Sequence, residues 1–131
     1  MERINPAELA KPSGFSHAVA AEGRYVFLAG QTALDAEGKI ISGGVVEQFE
    51  QALGNLLTAL RAAGGTPDQL AKVTIYIVDM EDYKANAAAI GQVWKRLAGR
   101  DYPAAAGIGI SRLWDIEALV EIEAIAVVPT R

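Results

Sequence analysis

No cysteine occurs in this chain, which excludes thiolate catalysis, disulfide bonds and cysteine-type zinc sites. Histidine is almost as scarce. His17 stands alone, without the second ligand or neighbouring carboxylate that a metal site or a general base requires, and it reads as a surface or strand-edge side chain. No Lys/Arg block interrupts the sequence, and 12 basic against 16 acidic residues leave a net charge of −4. A phosphate backbone would find no electrostatic footprint here, so nucleic acid is not an expected partner. No apolar run reaches the length of a membrane span, and Met1-Glu2-Arg3-Ile4-Asn5-Pro6 lacks the basic-then-apolar pattern of a signal peptide. A soluble cytoplasmic protein with no membrane partner is the expectation. Ser16 and Thr32 have no spaced His and Asp partners and no nucleophile elbow. Gly43-Gly44 and Gly64-Gly65 lack the spacing and the lysine of a phosphate loop and read as turn and cap glycines. Asp79, Glu81 and Asp82 read as the acids of a helix start rather than as cation ligands.

The sequence does contain a core. Hydrophobic residues make up 51% of the chain and charged residues 21%, which fits one globular domain over residues 1–131 that buries roughly two-thirds of its unfolded surface. Met1 to Gly14 reads as loop, broken by Pro6, Pro12 and Gly14. Strands are expected at Ser16–Ala21 and Arg24–Ala29, joined by a turn at Glu22-Gly23, and then over Lys72–Val78, Ala104–Ser111 and Ala118–Val128. Phe49, Leu53, Leu56, Leu60 and Ala63 recur at helical spacing and predict a helix from Val45 to Ala63, stopped by Gly64-Gly65. A second helix is predicted from an Asp79 N-cap to Gly99, with Tyr83, Ala87, Ile90, Trp94 and Leu97 as its buried stripe. The order β-β-α-β-α-β-β, with one apolar stripe per helix, predicts an α+β fold in which two helices pack on one face of a mixed sheet. The other face would be uncovered in a monomer and carries enough apolar surface to predict association with further subunits.

The last strand is the most informative segment. Leu119-Val120-Glu121-Ile122-Glu123-Ala124-Ile125-Ala126-Val127-Val128 alternates faces, so Glu121 and Glu123 point one way with Leu119, Ile125 and Val127, while Val120, Ile122, Ala124, Ala126 and Val128 form a pure core face. Burying an unpaired carboxylate costs several kcal/mol, so two on one partly apolar face need a reason. Two readings stand. Like charges at i and i+2 with apolar flanks raise the pKa of at least one, which suits a general acid or base. Alternatively, the pair makes salt bridges with Lys72, Arg112 or a neighbouring subunit.

Several segments, taken in order, match a single known pattern: Phe27-Leu28-Ala29-Gly30-Gln31; Gln51-Ala52-Leu53 with Asn55-Leu56; Ala62-Ala63-Gly64-Gly65 with Asp68; Lys72-Val73-Thr74 through Asp79-Met80-Glu81-Asp82-Tyr83; Pro103-Ala104; and Val120-Glu121-Ile122-Glu123-Ala124-Ile125-Ala126. The chain thereby resembles the RidA (YjgF) family of reactive-intermediate deaminases, some members of which carry the label L-PSP endoribonuclease. The resemblance implies a homotrimer whose sheets form a central barrel, with a small-molecule pocket at each subunit interface. It also implies hydrolysis of imines or enamines to 2-keto acids and ammonia without a metal or organic cofactor. Glu121 matches the glutamate that orients the attacking water. The acidic charge and the lack of a histidine pair argue against the ribonuclease label.

This chain departs from the family pattern at the substrate-binding positions. The arginine that grips the substrate carboxylate after Pro-Ala is Ala105 here, and the small polar or thiol position two further on is Gly107. The serine before Gly30 is Ala29, the aromatic position is Phe15, and the helix asparagine falls on Ala87. Asn86 is adjacent, but one residue turns a helix by about 100°. Arg112 lies on the opposite strand face from Ala105 and roughly 20 Å away along a straight strand. The expected substrate-binding set is therefore Phe15, Ala29, Gly30, Ala87, Ala105 and Gly107, with Glu121 catalytic. Two functions fit this set: a divergent imine or enamine hydrolase, and a non-catalytic member that binds a ligand or a partner.

Overall fold

The computed structural model describes residues 1–130. Its central element is helix α1 (Val45–Ala62). Glu47 reaches back to accept the Gly44 backbone N–H at 2.7 Å, closing the first turn. At the other end Gly64 takes φ +88°. The Gly65 N–H then bonds the Leu60 carbonyl at 3.0 Å and the Gly64 N–H bonds that of Arg61 at 2.9 Å. This paired closure needs a residue free to adopt the left-handed region. Phe49, Leu53, Leu56 and Leu60 are buried, as their spacing predicts, and Leu57 and Ala52 join them.

That apolar face lies on a four-stranded mixed sheet of β3 (Arg24–Gln31), β6 (Val120–Val128), β4 (Leu70–Ile77) and β5 (Ala104–Gly109), in that spatial order. β6 runs antiparallel to β3 and β4, and β5 runs parallel to β4. Val26, Leu28, Val73, Val120, Ile122, Ala124 and Ala126 face the helices in one continuous core with α1. Removing this apolar area from water, at about 25 cal/mol per Å², is the main term holding the layers together. The opposite face carries Tyr25 and Phe27, which are 63% and 74% exposed, and Ile125 at 37%.

Two expectations need correction. The strand near Ser16–Ala21 is shorter, β2 (Ala18–Ala20), and does not make a hairpin with β3. It pairs instead with β1 (Glu2–Ile4), inside the segment expected to be loop, as a separate two-stranded sheet. The N-terminal segment is fastened by contacts distant in sequence. Arg3 donates to the Asp68 carbonyl at 2.7 Å, and Asn5 accepts the His17 backbone N–H at 2.8 Å.

The second helix is two helices, α2 (Met80–Ala85) and α3 (Ala87–Ala98). The break falls at Asn86, which leaves helical geometry at φ −107° and ψ 14° and whose side-chain amide donates to the Asp82 carbonyl at 2.9 Å. Asp79 does cap α2, accepting the Asp82 N–H at 3.1 Å. The break resets the helical phase: the buried set of α3 is Ile90, Val93, Trp94 and Ala98, while Ala87 is exposed. No helix among the described residues is long and apolar enough to cross a membrane.

Candidate functional site

The strand register builds the site. Glu121 pairs with Tyr76 and Glu123 with Thr74 across β4, so these four residues share the face that the helices leave open. β3 flanks Glu121 on its other side, and its regular pairing is interrupted between Leu28 and Gln31. Ala29 and Gly30 occupy this irregularity, and both are exposed. α1 fixes its exit: Asn55 donates to the Thr32 and Leu34 carbonyls at 3.2 and 2.9 Å, and Gln51 donates to the Leu34 carbonyl at 3.1 Å. A Cβ added at Gly30 would lie 2.7 Å from Glu121 Oε2 and 2.9 Å from its Cδ. The missing side chain is therefore what gives the Glu121 carboxyl its place.

The two glutamates have different surroundings. Glu123 accepts a hydrogen bond from the Tyr76 hydroxyl at 2.5 Å. That bond, before partial burial and the two nearby carboxylates, holds the Tyr76 pKa above its ordinary value. For Glu121 the carboxyl pKa is raised, first by desolvation and then by the Glu123 charge. Neither is paired with Lys72 or Arg112 in this chain: among the described residues the one ion pair is Arg96–Glu50, at 2.7 Å. The guanidinium of Arg112 instead donates to the Leu113 and Trp114 carbonyls, both at 3.1 Å. Lys72 lines a shallow hollow of about 240 Å³ on the same face, with Phe27, Thr74, Glu123 and Ile125. Thus Glu123 is held by a phenol, and among the described residues no cation pairs with Glu121.

The other expected site residues lie elsewhere. β5 pairs Ala105 with Val73 and Gly107 with Ile75, which places both on the helix-covered side of the sheet. On that side an open groove of about 700 Å³ runs between α3 and the N-terminal segment, lined by Ile75, Tyr83, Ala87, Trp94, Arg100 and Tyr102 among others. Burial pushes the Tyr83 hydroxyl up to about 12. Phe15 is half-buried beside the groove-lining Gly14 and stacks edge-on with His17 at 5.1 Å. The ring of His17 bonds the Ala10 carbonyl at 2.7 Å, a structural role. Ser16 bonds the Tyr102 and Pro103 carbonyls at 2.8 and 2.9 Å and fixes the start of β5.

Within one chain, then, Glu121, Ala29 and Gly30 gather on the open face, and Ala87, Ala105 and Gly107 lie on the helix side. Sequence reasoning missed two residues. Tyr76 becomes visible only through the β4–β6 register, and Arg100 only through the closing of α3 against β5. No three His, Asp or Glu among the described residues gather closely enough to hold a metal ion.

This geometry matches a known family. The family model described as Endoribonuclease L-PSP matches residues 6–128. The chain is 37% identical over 125 residues to the RutC family protein UK114 of Drosophila melanogaster, covering 94% of this chain and 86% of that protein. It is 36% identical over 114 residues to the 2-iminobutanoate/2-iminopropanoate deaminase of Capra hircus, covering 86% and 79%. The crystal structure of YyfB from Yersinia pestis, a protein of unknown function in the conserved Rid family, superposes with a TM-score of 0.86 at 39% identity, covering 97% of this chain and 98% of that one. The protein belongs to the RidA/YjgF family.

Proposed function

We propose that this protein hydrolyses imines or enamines at a pocket completed between subunits of a homotrimer, with Glu121 as the group that activates water. One observation carries the reading: a partly desolvated carboxyl with a raised pKa sits in a space that Gly30 leaves for it, with no ion-pair partner among the described residues. A carboxylate whose pKa moves toward neutrality accepts and returns a proton efficiently near physiological pH. Water adds to the C=N carbon as Glu121 takes its proton. That proton passes to nitrogen to complete the carbinolamine, and the hydroxyl proton then moves through Glu121 to nitrogen as the C–N bond breaks, giving a carbonyl product and ammonia. The deaminase of Capra hircus is named for this class of substrate.

The division of the expected residues between two sheet faces supports a site completed by a second copy. Glu121, Ala29 and Gly30 of one chain would meet Phe15, Ala87, Ala105 and Gly107 of another. The exposed Phe27, Tyr25 and Ile125 supply apolar area for that contact. Ala105 favours a second reading, a non-catalytic member that binds a ligand or partner, because a charge-assisted grip on a carboxylate is worth about 1.5–3 kcal/mol.

The test is ammonia and keto-acid release from freshly generated 2-iminopropanoate and bulkier imines by the wild type, Glu121→Ala and Ala105→Arg. Wild-type turnover abolished by Glu121→Ala is the expected result. An inactive wild type that gains turnover on Ala105→Arg would overturn the hydrolase in favour of the second reading.

A further inference from the structure

The groove on the helix side has an unusual balance of charge. Arg100 and Lys95 line it, and no Asp or Glu does. Neither cation is in an ion pair among the described residues. Arg100 is exposed, in the short connection between α3 and β5, and Lys95 is half-buried in the last turn of α3. Phe49, Ile75, Tyr83, Trp94 and Tyr102 form an apolar and aromatic part of the wall, and the uncharged polar Ser13 and Gln92 complete it with small residues. Phe49 and Tyr83 meet edge-on with ring centroids 6.3 Å apart, giving a rigid aromatic corner. The Trp94 indole N–H is shut off from solvent and has no acceptor.

Two small residues of β5 lie on this side of the sheet, outside the groove's own lining. An arginine at position 105 would point to the same side of the sheet as Val73 and Ile75, because the register pairs residue 105 with Val73. Alanine there and glycine at 107 leave that side of β5 without bulk. A Cβ at Gly107 would touch only Ile77 Cδ1, at 3.5 Å. At about 700 Å³, the groove is in the range of sites for drug-sized molecules, far larger than a three-carbon acid needs.

We propose that Arg100 supplies the carboxylate grip that Ala105 cannot, and that the groove it lines selects 2-oxo and 2-imino acids with an aromatic or branched apolar body. This deepens the hydrolase reading and rests on it for the imine, but the binding claim is separable. The guanidinium provides two parallel donors to a carboxylate, the aromatic walls receive the side chain, and Lys95 adds field of the same sign.

Isothermal titration calorimetry of the wild type with 3-phenyl-2-oxopropanoate, 4-methyl-2-oxopentanoate and 2-oxopropanoate, each beside its neutral amide, tests the assignment. The larger acids should bind more tightly than 2-oxopropanoate and than their amides. Arg100→Ala should weaken the acids by about 10- to 100-fold and leave the amides unchanged, collapsing the discrimination. Arg100→Lys should recover part of it, and Arg112→Ala should bind as the wild type does. Acid binding equal in Arg100→Ala and wild type, no binding of any acid by the wild type, or a preference for 2-oxopropanoate would overturn the proposal. Ammonia release measured alongside separates the two claims. Wild-type turnover with Arg100→Ala binding normally removes Arg100 and leaves the hydrolase. Binding lost in Arg100→Ala with an inactive wild type leaves the groove and removes the hydrolase.

Discussion

Replacing Gly30 by alanine should move one carboxyl group and little else. Gly30 has no positive φ, so alanine adopts the same backbone without strain. The lower entropy of the unfolded chain then favours folding by about 0.4–1 kcal/mol. Against this, the new methyl would stand 2.7 Å from Glu121 Oε2, 2.9 Å from Cδ and 3.2 Å from Cγ. Ordinary contact begins near 3.4 Å, so the carboxyl must retreat by roughly 0.7 Å or more. The atoms that yield belong to the end of a flexible, half-buried side chain, so the two effects should nearly cancel and the melting temperature should change by less than about 4 °C. Catalysis is less forgiving, since a misplacement near 1 Å costs on the order of 100-fold. Ammonia release should fall by about 10- to 100-fold, toward the level of Glu121→Ala, while the Glu121 carboxyl resonance titrates at a changed pKa by carbon NMR. Gly23→Ala is the contrasting control: its Cβ would run into the Val128 carbonyl at φ +151°, and it should unfold well below the wild type. Gly30→Ala with wild-type turnover and an unmoved Glu121 titration would refute the reasoning, as would a loss of stability as large as that of Gly23→Ala.

Two further predictions follow from the open face. The Glu121 pKa is raised in the folded state, so its ionisation works against folding: the penalty is absent below the unfolded pKa, near 4.3, and appears as pH rises through the folded value. Glu121→Gln should therefore melt about 1–3 °C above the wild type at pH 7 and level with it below about pH 4; a wild type more stable at pH 7 would mean that a cation from a second copy faces this carboxyl. Phe27, 74% exposed and edge-on to Tyr25 at 6.4 Å, belongs to the apolar patch expected to join subunits. Phe27→Glu should shift light-scattering mass from oligomer to monomer with the far-ultraviolet spectrum unchanged, and an unaltered mass would rule out this face as the interface.

The elements that the sequence made legible are those with a strong period. α1 shows because Phe49, Leu53, Leu56 and Leu60 repeat at helical spacing, and its end shows because only glycine takes the conformation that Gly64 needs. β6 shows its core face because alternation in a strand is strict, and Val120, Ile122, Ala124 and Ala126 are buried as that alternation requires. β1 was hidden because three residues carry no period and its pairing with β2 depends on contacts from Arg3 and Asn5 to distant backbone. The break at Asn86 was hidden because Tyr83, Ala87, Ile90 and Trp94 preserve a plausible stripe across it, while the backbone of one residue leaves helical geometry, at φ −107° and ψ 14°. Of the site, the exceptional character of Glu121 was legible and its neighbourhood was not.

By itself, the sequence determined the family, the α+β class, and which face of the last strand enters the core. These follow from local period, residue chemistry and motif order. Tertiary structure alone decided that Gly30 stands against Glu121, that Tyr76 rather than a cation holds Glu123, that Ala105 faces away from Glu121, and that Arg100 reaches the groove. Each depends on the strand register or on how a helix end closes against a sheet edge. Such contacts join residues far apart in sequence, and their geometry is set by the packing of the whole domain rather than by any one segment.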